Sequence, residues 1–312
     1  MSLQVLLKSL TWEAPGIVSY DLRPVDGGEL PPFTAGAHID LALGNGMRRS
    51  YSLLNSQAER HRYVIAVQKD RASRGGSRWI HDNLRPGDVL TIEPPRNNFP
   101  LCESAERSLF IAGGIGITPI LSMIDRLSAL GRAWQLVYCA RKRSGTAFLH
   151  ALEGRPEVRF NFDEEPGGTM LDIAALVAAA PAQAHLYCCG PLPMLAAFEE
   201  ATRDVAPERV HLEYFSAKEP VAKGGGFTVV LAKSGREIEV PSGMTILDAL
   251  TNAGIDVPYS CMEGVCGSCE TAVLEGIPDH RDLVLTDAER AAGKTMMICC
   301  SGSKTEKLVL DL

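Results

Sequence analysis

The residues best suited to chemistry are cysteines. From Tyr259 the chain reads Y-S-C-M-E-G-V-C-G-S-C, which sets Cys261, Cys266 and Cys269 on one short loop, and Cys299 stands downstream beside Cys300. The spacing is C-x4-C-x2-C, a long gap, then C. Three thiolates on a tight loop and a fourth from a distant segment can surround two bridged irons, the plant-type 2Fe–2S arrangement. Gly264, Gly267 and Ser268 let the backbone turn sharply and bring N–H groups toward the sulfurs, where they favour the electron-rich form of a cluster. Structural zinc takes two short C-x2-C pairs, and only Cys266 and Cys269 make one. Disulfide frameworks belong to small secreted chains. Here the start, Met1 to Lys8, has no charged n-region leading into a long apolar run, and nine cysteines are an odd number. Four cysteines on a cluster and five spare fit a reducing cytoplasm, with Cys102, Cys139 and Cys188 acting as small apolar residues. Cys299 and Cys300 compete for the fourth position. Cys299 is favoured, because the second of two adjacent strand residues faces the other way.

Three further stretches carry binding chemistry. Arg49-Ser50-Tyr51-Ser52 offers a cation, an aromatic face and two hydroxyls. Arg74-Gly75-Gly76-Ser77 precedes a short helix over Trp79–Leu84, and a Gly-Gly turn feeding a helix start suits a phosphate. Gly113-Gly114-Ile115-Gly116-Ile117-Thr118-Pro119 follows the apolar run Ser108–Ala112. Strand, glycine turn and helix start together make a nucleotide diphosphate site. The third glycine of the Rossmann fingerprint is missing, since position 119 is proline, and Arg141-Lys142-Arg143 stands where an acidic residue would hold the ribose. On charge alone that cluster favours a 2′-phosphate, hence NADPH; a solvated basic loop is the plainer alternative. Cys189 ends a strand at Gly190-Pro191, where a ligand can approach, or where a core thiol simply packs.

The elements that must position these groups divide into three zones. With 312 residues the chain is long enough for two or three domains. Up to about residue 100 there are short strands split by Gly and Pro, as in Ile17–Leu22, His38–Leu43 and Tyr63–Val67, the pattern of an antiparallel barrel or sandwich. Next, strands and helices alternate as in a parallel sheet with crossover helices: Ser108–Ala112, a helix over Ile120–Leu130, Trp134–Ala140, Val158–Phe162, Ala184–Cys189, a helix to about Asp204, and Arg209–Phe215. Residues 217–226 are polar and glycine-ended, as a linker is. Beyond them, Phe227–Leu231 and Glu237–Val240 flank a Ser234-Gly235 hairpin. A helix opens at Thr245 with Asp248 at capping-box spacing, and Glu270–Leu274, Met296–Cys299 and Lys307–Leu310 complete a β-grasp pattern. Asp279-His280-Arg281-Asp282 reads as a polar turn with a structural role, partner docking being the lesser alternative. The composition, 46% hydrophobic and 22% charged, is that of a globular protein. A net charge of −7 argues against nucleic acid as a partner, and no apolar run is long enough for a membrane span.

Taken in order, these signatures resemble the phthalate dioxygenase reductase family over nearly the whole chain. The resemblance implies an FMN-binding β-barrel domain at 1–103, an NAD(P)-binding ferredoxin-reductase-like α/β domain at 104–216, a linker at 217–226 and a 2Fe–2S ferredoxin domain at 227–312. It implies FMN, with Arg49, Tyr51 and Ser52 around the isoalloxazine and Arg74, Gly75, Gly76 and Ser77 at its phosphate; residues 78–84 leave no obvious loop for the adenylate of FAD. It implies NADH at Gly114, Gly116, Thr118, Pro119, Cys189 and Gly190, with NADPH possible, Arg141 beside the ribose and Phe215 shielding the flavin. Cys261, Cys266, Cys269 and Cys299 hold the cluster. No residue acts as acid or base. The expected protein is a monomeric, cytoplasmic oxidoreductase delivering electrons to a Rieske-type oxygenase. Two departures stand out: Lys142-Arg143 where relatives tend to carry an acid, and Gly302 where they commonly carry arginine. The alternatives are an FAD-containing or NADPH-preferring reductase serving another oxygenase, and a redox docking module without turnover, in which the nucleotide loops would be degenerate.

Overall fold

A computed structural model describes residues 2–44, 46–70 and 75–312. It divides into two compact units, 1–213 and 214–312.

The first unit opens with an antiparallel sheet of six strands. In chain order these are β1 (Leu3–Ala14), β2 (Ile17–Pro24), β3 (His38–Ala42), β4 (Arg48–Ser52), β5 (Tyr63–Gln68) and, after helix α1 (Gly76–Asn83), β6 (Val89–Ile92). The spatial order is β4-β3-β6-β1-β2-β5. Beyond its ladders, the Leu54 amide donates to the Val64 carbonyl at 3.0 Å and the Val64 amide to Asn55 Oδ1 at 2.9 Å, which draws the two edges together into a barrel. Alternating residues fill it: Val5, Leu7, Leu22, Ile39, Leu41, Tyr63, Ile65 and Ile92 are all essentially buried. Each such side chain contributes about 1.5–3 kcal/mol by leaving water. The strand β1 was not expected, although it lies at the middle of the sheet. Its solvent face carries Leu10 and Trp12, both exposed, so the alternation that marks a half-buried strand is blurred.

A five-stranded parallel sheet follows. Its elements are β7 (Arg107–Gly113), α2 (Ile117–Ala129), β8 (Ala133–Ala140), α3 (Leu149–Leu152), β9 (Val158–Phe162), α4 (Ile173–Ala178), β10 (His185–Cys189), α5 (Leu192–Ala201) and β11 (Val210–Glu213). The order β11-β10-β7-β8-β9 reverses direction between β7 and β10, and the crevice at such a switch point is where open α/β sheets bind ligands. Helix α2 buries Ile120, Ile124 and Leu127 as its periodicity demands, while Leu130 caps the helix and is exposed. Barrel and sheet share a core: Ala35 and Phe99 pack with Ile117, Ile120 and Met123, and the Gly36 amide donates to Ser122 Oγ at 3.2 Å.

The second unit contains β12 (Phe227–Leu231), β13 (Glu237–Val240), α6 (Ile246–Asn252), β14 (Glu270–Glu275), β15 (Pro278–Asp279), α7 (Asp287–Ala292), β16 (Thr295–Met297), β17 (Gly302–Ser303) and β18 (Lys307–Leu310). Its main sheet runs β13-β12-β18-β14-β16, with β12 and β18 parallel and α6 laying Ile246, Leu247 and Leu250 into the core. This is a β-grasp. Thr245 and Asp248 form the expected capping box; Thr286 and Glu289 form a second one that opens α7. Part of the stretch read as linker is docked on this unit. The Ala222 amide donates to the Cys300 carbonyl at 2.7 Å, and Val221 packs against the core.

Candidate functional site

In the second unit, Cys261, Cys266, Cys269 and Cys299 are all buried. The loop is shaped by positive φ at Met262, Gly264 and Gly267, so its amides turn toward sulfur. Glu263 N–H and Val265 N–H point at Cys261 Sγ at 3.3 and 3.5 Å, and Cys261 N–H at Cys266 Sγ at 3.4 Å. Ser268 Oγ lies 3.1 Å from Cys266 Sγ. Burial without charge compensation would leave thiols inert; amides converging on sulfur instead stabilise thiolates. Cys261 interacts with both Cys266 and Cys299. Contact with Cys261, then burial, pushes the Cys266 thiol up; metal binding relieves such crowding by displacing protons. Among the described residues, no three His, Cys, Asp or Glu side chains converge as a single metal ion requires. Four buried cysteines, three on one loop and one from a distant segment, are the donor set of a plant-type two-iron cluster.

The fourth cysteine does not sit on a strand as expected. Strand β16 ends at Met297, and Cys299 and Cys300 lie in the following turn, where Cys300 N–H and Ser301 N–H both donate to the Met297 carbonyl. The strand-alternation argument for Cys299 therefore does not apply. Packing distinguishes the two thiols instead. Cys300 Sγ lies 3.6 Å from the Met297 carbonyl oxygen and packs on Gly264, where a Cβ would come within 2.4 Å of it, while the Cys299 side chain meets Cys261.

In the barrel, β4 splits its residues between two faces. Arg49 and Tyr51 lie opposite Leu41 and Ile39, while Ser50 and Ser52 lie opposite Asp40 and His38. The Arg49 side chain crosses the start of α1: a Cβ on Gly76 would lie 2.7 Å from its Nε. Among the described residues, no side chain caps α1 and its first turn holds no acid. The Arg49 guanidinium and the amides at the start of α1 both attract an anion, and a phosphate suits that place. Gly75, at φ 96, makes the turn, and Ser77 Oγ accepts from the Asp70 amide at 3.2 Å. Arg74 lies outside the described residues. On the other face, Ser50 Oγ donates to Asp40 Oδ1 at 2.6 Å and Arg96 pairs with Asp40. Burial lowers His38 to about 4, and its Nε2 has no hydrogen-bond partner among the described residues. Ser50 thus serves a buried network that sequence reasoning missed.

At the switch point, three glycines let two loops touch. A Cβ on Gly116 would stand 2.2 Å from the Cys189 carbonyl oxygen, one on Gly113 2.6 Å from Pro191, and one on Gly190 2.7 Å from Met194 Sδ. Tyr138 OH donates to the Gly114 carbonyl at 3.1 Å and Thr118 Oγ1 to the Ile115 carbonyl at 3.0 Å, which fixes the turn ahead of Pro119. Glu213 was not anticipated. Its Oε2 lies 4.0 Å from Cys189 Sγ. Burial pushes Glu213 up to about 8; burial first, then the Glu213 charge, raises Cys189 well above a free thiol. The basic stretch after β8 is compensated by acids. Arg141 stands 3.6 Å from Glu164, Arg143 lies 2.6 Å from Glu153 and over the Phe162 ring, and the Arg143 amide donates to Glu165 at 2.7 Å. Phe215, 41% exposed, lies at the start of the second unit.

A phosphate cradle on a barrel, a nucleotide crevice on a parallel sheet and a cysteine-lined loop on a β-grasp define a flavin- and iron–sulfur-dependent pyridine nucleotide reductase. A 2Fe-2S iron-sulfur cluster binding domain matches residues 229–303. The chain is 57% identical over 307 residues to phenoxybenzoate dioxygenase subunit beta of Ectopseudomonas oleovorans, covering 98% of this chain and 96% of that one. It is 52% identical to tetrachlorobenzoquinone reductase of Sphingobium chlorophenolicum, covering 100% and 98%. The solved structure of phthalate dioxygenase reductase, described as a modular structure for electron transfer from pyridine nucleotides to 2Fe–2S, superposes with a TM-score of 0.78 at 41% identity, covering 100% of this chain and 98% of that one. The chain belongs to the phthalate dioxygenase reductase family.

Proposed function

We propose that this chain is the reductase component of an oxygenase system, carrying electrons from NADH through FMN to a 2Fe–2S cluster and on to the oxygenase. One observation carries the reading: a single chain pairs a helix start crossed by the Arg49 side chain and a glycine-lined crevice with a loop whose amides converge on buried cysteine sulfurs. Arg49 and the amides of Gly75, Gly76 and Ser77 take the FMN phosphate, with Tyr51 and Ser52 at the ring. Gly114, Gly116, Thr118, Pro119, Cys189 and Gly190 orient the nicotinamide nucleotide, with Arg141 beside its ribose. Cys261, Cys266, Cys269 and Cys299 hold the cluster. When bound, the flavin supplies two-electron hydride chemistry and the cluster one-electron transfer, while the protein supplies placement and electrostatics. A Rieske-type centre as the oxygenase acceptor, a monomeric state and a cytoplasmic location belong to the same proposal. They are supported by the oxygenase named in a relative, by the net charge of −7 and by the lack, among the described residues, of any helix long and apolar enough to cross a membrane.

A second reading rests on the quinone named in another relative: the chain would act as a quinone reductase served from the barrel site that Arg49, Gly75 and Gly76 would form, without use of the cysteine loop. Cys266→Ser separates the two. The first reading expects NADH-driven reduction of cytochrome c to fall at least 100-fold while NADH-to-flavin reduction stays within twofold. Equal loss of both activities contradicts it. Quinone reduction that survives in this variant marks the flavin as the quinone's donor.

A further inference from the structure

The polar turn Asp279-His280-Arg281-Asp282 sends two of its four side chains inward. The Asp282 side chain is fully buried, and His280 is nearly so. Asp282 Oδ2 accepts from the amides of Val284 at 3.2 Å and Leu285 at 2.9 Å, and its carbonyl accepts from the Arg290 guanidinium. Oδ1 has no hydrogen-bond partner among the described residues. The Arg290 guanidinium stands back at 3.9 Å from Oδ2, and the His280 ring, whose two nitrogens also lack hydrogen-bond partners among the described residues, has its Nδ1 3.7 Å from Oδ1. An incompletely satisfied buried carboxylate is costly, so its place calls for a reason.

The reason lies across from it. The Leu283 amide donates to the Gly264 carbonyl at 2.8 Å, and a Cβ on Gly264 would fall 2.9 Å from Asp282 Cα on one side and 2.4 Å from Cys300 Sγ on the other. Gly264 stands midway between Cys261 and Cys266, within the loop whose amides face sulfur. The turn ordered by Asp282 therefore clamps that loop from behind, with the Cys300 side chain packed on the same glycine.

We propose that Asp282 is a positioning residue of the cluster site: it locks the cluster loop at Gly264, and its buried negative charge holds the cluster at low reduction potential. Adding an electron to a cluster with four thiolates increases a negative charge, which a carboxylate in a low-dielectric surround opposes. Arg290 counters that effect, so the two side chains act with opposite sign.

This inference rests on the cysteine assignment above. Its test is a dye-mediated redox titration of the full-length holoprotein, followed by electron paramagnetic resonance of the reduced cluster, for wild type, Asp282→Asn and Arg290→Met. The wild-type signal checks the cluster assignment by itself. Asp282→Asn is expected to move the cluster midpoint to more positive potential and to alter the line shape, with NADH-to-flavin reduction within twofold of wild type. Arg290→Met is expected to move the midpoint the other way. If Asp282→Asn fails to hold a cluster, the negative shift in Arg290→Met alone supports the proposal. Midpoints unchanged in the loaded variants, or shifted in the same direction, overturn it.

Discussion

Glu213 and Gly264 show how single residues set the properties of this chain. Burial raises Glu213 to about 8 from its ordinary 4.5, so between those values the folded chain keeps a proton that the unfolded chain has released. The resulting stabilisation is complete below the unfolded value and is lost as pH rises through the folded one. Glu213→Gln should therefore flatten the decline in thermal stability across that range, measured by unfolding midpoints at stepped pH; an unaltered slope would place the titration elsewhere. Gly264, at φ 70 and with no room for a Cβ, tolerates no side chain. Gly264→Ala should cost roughly 1–2 kcal/mol for the backbone alone, with the clash added, and should lower iron content per chain while leaving flavin content unchanged. The cysteine spacing was legible because iron constrains it directly. The roles of Glu213 and Asp282 were not, since both depend on burial created by segments distant in sequence.

Helix starts and strand ends carry the binding chemistry. Because Arg49 lies across Gly76, Gly76→Ala should displace the guanidinium and weaken FMN retention roughly tenfold, about 1.4 kcal/mol, read as the dissociation constant of released flavin; unchanged affinity would move the phosphate away from α1. After β8, the acids facing Arg141 and Arg143 blunt the attraction for a 2′-phosphate that the bare sequence implied. Glu164→Gln should therefore lower the KM for NADPH about threefold and leave that for NADH unchanged, a modest effect because the pair is exposed. Equal shifts for both nucleotides would remove the pair from the ribose. The elements themselves were unevenly legible. Strands β9, β12, β13 and β18 matched their hydrophobic patterns to the residue. Helix α7 was missed although Thr286 and Glu289 spell the same kind of cap as Thr245 and Asp248, because a short helix with no buried residue leaves no apolar stripe to read.

At the scale of the molecule, the expected flavin and nucleotide domains form one compact unit and the ferredoxin a second. Sequence alone could not show this, since the shared core of Ala35, Phe99 and helix α2 joins residues far apart in the chain. Each unit has its own hydrophobic core, so residues 1–213 expressed alone should bind FMN and be reduced by NADH, with cytochrome c reduction at least 100-fold below the full chain. The most direct test of the whole account is an anaerobic titration of the purified holoprotein with NADH, followed by visible absorbance. The account predicts that about stoichiometric NADH bleaches both the flavin band and the broad iron–sulfur band. Loss of the flavin band with the cluster band intact, or no bleaching of either, would contradict it.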